Sequence, residues 1–111
     1  MLLNEIAALT DGVVAVDCPG ASAGRAYASD LLSDIMGHCG DDAVLVTIQN
    51  HLNTIAVCTL VGIGIIVLCH DRPVPDDMAE AAKREGVAII TTALSQFEVS
   101  VRLAALPVAA K

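Results

Sequence analysis

Charge is missing from the middle of this sequence. Between Ala43 and His70 the chain carries no Asp, Glu, Lys or Arg. Such a stretch cannot be a solvated surface segment, so it lies either in a membrane or in a core. A spanning helix needs about 18 or more consecutive apolar residues. Here Gly62 and Gly64 interrupt the run at the point where a helix would end. The residue types then change, from mixed Leu, Ala, Thr and Cys over 52–61 to the β-branched Ile65-Ile66-Val67. No Lys/Arg cluster flanks the run as an anchor. A membrane span is excluded on these grounds, and the stretch reads as strand, turn, buried helix and strand.

Basic residues are also scarce. Six Lys and Arg stand against thirteen Asp and Glu, giving a net charge of −7 and a pI near 4.5. Without a basic patch, neither a nucleic-acid partner nor an anionic membrane surface is expected. Aromatics make up 2% of the chain and Trp is absent, against a hydrophobic fraction of 55%. The core is therefore built from small and branched aliphatic residues, and no base-stacking platform is available. The four cysteines, Cys18, Cys39, Cys58 and Cys69, form no Cys-x-x-Cys pair. They are read as reduced thiols of a cytoplasmic protein, with no metal site. The N-terminus shows no basic segment before an apolar run, so no secretory signal is expected. A Walker-type Gly-x-x-x-x-Gly-Lys-Ser/Thr loop and a Ser/His/Asp or Cys/His nucleophile order are missing too. No cofactor is called for.

What is present is an alternation of short elements. Ala43–Thr47 and Ile65–Cys69 are continuous apolar runs, the signature of parallel strands covered on both faces. The segment from His51 to Val61 joins them as a crossover helix, for which a right-handed connection is expected. That helix is apolar almost all round, so its outer side also requires cover, and a second copy of the chain is the expected cover. Upstream, Leu2–Thr10 reads as a short helix, Val13–Asp17 as a strand, Cys18–Gly24 as a loop and Arg25–Ala28 as a short strand. A helix follows over 29–36, with Ser29 as N-cap and Asp30 complementing the helix dipole. Downstream come the rigid loop His70–Pro75 and a surface helix over Asp76–Glu85, closed by Gly86. A strand over Val87–Ile90 precedes a helix that opens on the capping box Ser95-x-x-Glu98 and runs to about Leu106. Val108–Lys111 is expected to fray. A chain of 111 residues is one domain. The fold class is α/β: a single small sandwich, with a mostly parallel sheet of about four to five strands flanked by helices.

Three segments of this chain resemble the DRTGG domain. They are Ser29-Asp30-Leu31-Leu32-Ser33-Asp34-Ile35-Met36; Val46-Thr47-Ile48-Gln49-Asn50-His51-Leu52-Asn53-Thr54-Ile55-Ala56-Val57; and Thr91-Thr92-Ala93-Leu94-Ser95-Gln96-Phe97-Glu98. The middle segment is the most specific. Across nearly its whole length the chain is similar to stand-alone DRTGG proteins and to the N-terminal domain of HPr kinase/phosphatase. The signature itself is degenerate, with Asp17-Cys18-Pro19-Gly20-Ala21 near its expected place. The resemblance implies a regulatory or ligand-sensing α/β domain that self-associates as a homodimer. Kinase activity in that family belongs to a separate P-loop domain.

Ligands of open α/β sheets bind beyond the carboxyl ends of the strands. That rule collects Asp17 and the 18–24 loop, Thr47 to His51, His70 to Arg72, and Thr91, Thr92 and Ser95. Among these polar ends and the following turn, Asp17, Thr47, Gln49, Asn50, His51, Asn53, Thr91, Thr92 and Ser95 are the candidate binding residues for a small phosphorylated or nucleotide-type ligand, with helix N-termini supplying N–H donors. For the pair at the helix start, the competing reading is that Asn50 caps the helix and His51 is an ordinary first-turn residue. Two other functions stay open: a small enzyme acting on a phosphorylated metabolite through His51 and the Thr91-Thr92 turn, and a structural subunit of a larger complex.

Overall fold

The computed structural model describes every residue from Met1 to Lys111. The chain order is α1 (Leu3–Leu9), β1 (Val13–Val16), β2 (Arg25–Ala28), α2 (Leu32–His38), β3 (Ala43–Thr47), α3 (Leu52–Val61), β4 (Ile63–Leu68), α4 (Asp76–Glu85), β5 (Ala88–Thr91) and α5 (Gln96–Arg102). The uncharged middle does fold back on itself: β3, α3 and β4 form a parallel βαβ unit at the centre of the molecule. No helix is long and apolar enough to cross a membrane.

The sheet has five strands in the order β1-β5-β4-β3-β2. The pairs β2·β3, β3·β4 and β4·β5 are parallel, and β1 lies antiparallel to β5 at one edge. Alternation along the strands divides the apolar side chains between two faces. Leu45, Ile66, Leu68 and Ile89 pack with Ile35 of α2, Ile55 and Cys58 of α3 and Met78 of α4. Val44, Val46, Ile65, Val67 and Ile90 pack with Ile6 of α1 and with Val99 and Leu103 of the α5 end. The result is three layers: three crossover helices, the sheet, and the two terminal helices. Because three successive crossovers step across the sheet in one direction with their helices on one face, they share one hand, as twisted parallel sheets require.

Helix ends follow local chemistry. Gly62 (φ +93°) and Gly86 (φ +72°) close α3 and α4 in the left-handed conformation that a Cβ disfavours. α3 buries Thr54, Ile55, Val57 and Cys58, while Leu52, Ala56 and Leu60 on its outer side are left uncovered within the chain.

Three expectations need correction. The helix expected over 29–36 begins at Leu32, with Leu31 as its N-cap. The helix starts late because Ser29 N–H continues the ladder to Val46 O (3.2 Å), Asp30 is held at the end of β3 and Leu31 is extended. The last helix stops at Arg102, not near Leu106, because Leu103 plugs the core and the chain then turns through Leu106 N–H to Leu103 O. Finally, the C-terminal segment is not frayed. Ala26 N–H donates to Pro107 O (2.9 Å), Ala109 N–H to Ala26 O (2.8 Å), Gly40 N–H to Ala109 O (2.7 Å) and Lys111 N–H to His38 O (3.0 Å), with Ala109 buried. This strap runs along the outer edge of β2.

Candidate functional site

The carboxyl ends of the four parallel strands lie on one edge of the sheet, and a knot of polar groups forms there around Asp30. Its Oδ1 accepts from Thr47 Oγ1 (3.0 Å) and from the Ile48 backbone N–H (2.9 Å). Gln96 Nε2, from the first turn of α5, donates to both carboxylate oxygens (2.9 and 3.0 Å). Gln49 Nε2 donates to Asp30 O (2.7 Å), and Gln49 N–H donates to Thr47 Oγ1 (3.1 Å). The carboxylate thus joins the end of β2, the end of β3 and the start of α5. Thr47 is fully buried and its hydroxyl is spent within the knot.

A second cluster, exposed to solvent, lies on the loops beyond β3 and β4. Asn50 Nδ2 donates to Pro73 O (2.8 Å), and Asn50 Oδ1 accepts from an Arg72 guanidinium N–H (2.9 Å). The loop that presents Arg72 is a tight reversal. His70 and Asp71 both adopt positive φ (+58° and +52°), and Arg72 N–H closes on Cys69 O (3.2 Å). Backbone bonds from His70 N–H to Leu94 O and from Asp71 N–H to Thr92 O hold that strained turn in place. His51 is the N-cap of α3: its Nδ1 accepts from Asn53 N–H (3.1 Å), which leaves Nε2 as the free ring nitrogen. The competing reading of the pair is not realised as stated: the cap is His51 and not Asn50, and His51 precedes the first turn of α3.

The other expected residues take structural places. Thr92 is buried, donates to Thr10 O (2.6 Å) and accepts from Leu94 N–H (3.2 Å). Thr91 stands in the β5 ladder between Val13 and Leu68. Ser95 caps α5 by accepting from Glu98 N–H (3.1 Å). Asn53 lies in a groove between α3 and α4. Asp17 is not brought to this edge at all. Since β1 runs antiparallel, its carboxyl end faces the opposite edge of the sheet, where Asp17 and the 18–21 loop line a cleft of about 510 Å³ with Leu2, Asn4 and Val14.

Two groups at the strand ends escaped sequence reasoning. Asp30 reads locally as a helix-start acid. Gln96 reads as a neutral first-turn residue. Arg72, by contrast, lies in the His70–Arg72 segment that the strand-end rule collects, and it is the single cation between Arg25 and Lys83. As for reactive groups, burial raises the thiols of Cys39, Cys69 and Cys58, the last two to about 11 and about 12. Those three are inert at neutral pH. Cys18, half-buried, donates its S–H to Gly86 O (3.3 Å). Three or more His, Cys, Asp or Glu side chains nowhere converge as a metal set would. What the strand-end edge offers is a rigid polar frame with imidazole and guanidinium groups on its exposed rim.

The fold and this edge define a three-layer α/β domain with its polar groups gathered at the strand ends. Neither a protein-family model nor a curated protein matches the sequence. Among solved structures, the chain is similar in fold to the CBS and DRTGG domains of the regulatory region of Clostridium perfringens pyrophosphatase, a structure complexed with the activator diadenosine tetraphosphate. The TM-score is 0.78 at 14% identity, over 96% of this chain and 47% of that one. This chain therefore spans about half the length of that structure, and the likeness is one of fold.

Proposed function

We propose that this chain is a non-catalytic regulatory domain of the DRTGG type, which senses a small phosphorylated or nucleotide-type ligand and self-associates. The observation that carries this reading is its likeness, over nearly its whole length, to a regulatory region solved with a nucleotide activator. The exposed rim of the strand-end edge suits an anionic ligand. Arg72 retains N–H groups beyond the one given to Asn50, and His51 and His70 stand exposed on the same edge. The N-terminus of α3 adds a favourable dipole. In this reading Asn50, His51 and Arg72 touch the ligand, while Thr47, Gln49, Thr91, Thr92 and Ser95 build the frame. The free thiols fit a reducing compartment such as the cytoplasm.

A second location for the ligand is favoured by one observation: the cleft of about 510 Å³ beside Asp17 adjoins the stretch most like the DRTGG signature. A melting screen with adenine nucleotides and common phosphometabolites tests both. A ligand at 100 times its Kd stabilises by about 2.7 kcal/mol, a rise of roughly 10 °C in Tm for a domain of this size. Arg72→Ala should abolish the shift if the strand-end rim binds, and Asp17→Ala should abolish it if the cleft does. No shift with any of these compounds would reject ligand sensing of this class.

A further inference from the structure

We infer that the ring of Phe97 is a stacking face for the base of the ligand, and that the side-chain oxygens of Gln49 and Gln96 accept from an exocyclic amine on that base. The inference rests on the nucleotide reading above and deepens it. It assigns the base to the α5 side of the strand-end edge, with the phosphates at Arg72 and His51, and it specifies a base that carries an amino group, as adenine does.

Three observations carry it. First, Phe97 is the only Phe of a chain without Trp, yet 71% of its surface is exposed and it packs in neither half of the core. So few rings make no platform for a strand of stacked bases, but a single base needs only one. Second, the ring stands beside the Asp30 knot. Ser100, one turn after Phe97, borders a groove over Ala26 and Ala28, so this side of α5 faces β2. Phe97 overhangs the end of that strand, where Gln96 grips Asp30 and where Leu31 leaves 63% of its surface exposed. Third, both amides are locked with their oxygens turned out. Gln96 Nε2 donates to the Asp30 carboxylate and Gln49 Nε2 to Asp30 O, oxygens that accept and cannot donate. Each amide oxygen therefore points away from its Asp30 partner, and neither is a buried atom left without a donor. Two free acceptors match the two N–H groups of an exocyclic amine and repel a ring carbonyl in its place. Gln49 thus braces the frame with its nitrogen and offers its oxygen to the base. It directly precedes Asn50 and His51, so the phosphates of the same molecule lie against the exposed rim.

The test is thermal melting of the full chain with ATP, with ITP, which has a carbonyl in place of the amine, and with tripolyphosphate, which has no base. ATP should raise Tm most, ITP less and tripolyphosphate least. Phe97→Ala, at an exposed position that leaves the fold intact by circular dichroism, should weaken ATP at least about fivefold and leave the response to tripolyphosphate unchanged. Phe97→Trp should keep the ATP response and install the only Trp of the chain, with fluorescence that ATP quenches and tripolyphosphate does not. Equal shifts with ATP and ITP, an ATP shift that survives Phe97→Ala, or no quenching in Phe97→Trp would each overturn the assignment. So would an ATP shift abolished by Asp17→Ala and not by Arg72→Ala, which puts the ligand in the cleft instead. The two ideas fail separately. An ATP shift matched by ITP and indifferent to Phe97 ends the base contact and leaves ligand sensing standing. No shift with any of the three compounds ends both.

Discussion

Asp30 shows how a single residue can decide the geometry of an edge. Its carboxylate satisfies a buried hydroxyl, the backbone N–H of Ile48 just past β3 and the amide of Gln96 from α5. Removing it strands Thr47 Oγ1 and the Ile48 N–H in a place where water has little access, and an unsatisfied buried donor costs more than the bond it loses. Asp30→Ala should therefore destabilise the chain by about 2–3 kcal/mol in denaturant unfolding, whereas Asp30→Asn, which keeps an acceptor, should cost about 1 kcal/mol. Equal costs for the two variants would show that the carboxylate is not the hub. Nothing local marks this residue. An acid directly before Leu31, Leu32, Ile35 and Met36 looks like a helix start, and its true partners lie 17, 18 and 66 residues away.

Among the elements, α5 depends most on its ends. At seven residues it is too short to be stable by propensity, so capping and tertiary packing hold it. Ser95 Oγ accepts from Glu98 N–H, and the Glu98 carboxylate accepts from Ser95 N–H, both at 3.1 Å. Ser95→Ala should cost about 1 kcal/mol. The bond from Ser95 N–H is the first cause that holds the Glu98 carboxyl below its ordinary value of 4.5; the Ser95 side chain and the nearby Arg102 and His70 add to it. With the folded value lowered, the contribution is complete above about pH 4.5 and is lost as pH falls through the lower folded value. Glu98→Gln should flatten that part of the acid limb in a pH series of unfolding midpoints; an unchanged limb would remove Glu98 from the account. Unlike the Asp30 knot, this box was legible in the sequence, because both partners lie within one turn. The α3 crossover was legible for a related reason: an uncharged run with two glycines at its end admits few other folds.

At the scale of the whole molecule, the two sheet edges are managed differently. The β2 edge is covered by the C-terminal strap, fastened by backbone bonds to Ala26, Gly40 and His38 and by Arg25 Nη1 donating to Ala110 O (3.1 Å). Deleting residues 107–111 should cost about 2 kcal/mol through these bonds and the burial of Ala109, and should leave the edge strand open to association with other chains. A truncated chain as stable and as disperse as the full one would show the strap to be idle. At the other edge, the antiparallel β1 carries Asp17 away from the strand ends where the rest of the expected site gathers.

The sequence by itself determined the α/β class, the βαβ centre, the order of the elements and the two-sided burial of β3 and β4. Those features follow from periodicity, composition and breakers read over windows of five to fifteen residues, the range over which backbone and neighbouring side chains act on each other. Only the tertiary structure decided the direction of β1, the docking of the strap and the gathering of Asp30 and Gln96 at the strand ends. Each of these is a pairing between groups far apart in the chain, and a hydrogen bond across that distance leaves no trace in local pattern until the sheet has set which ends meet.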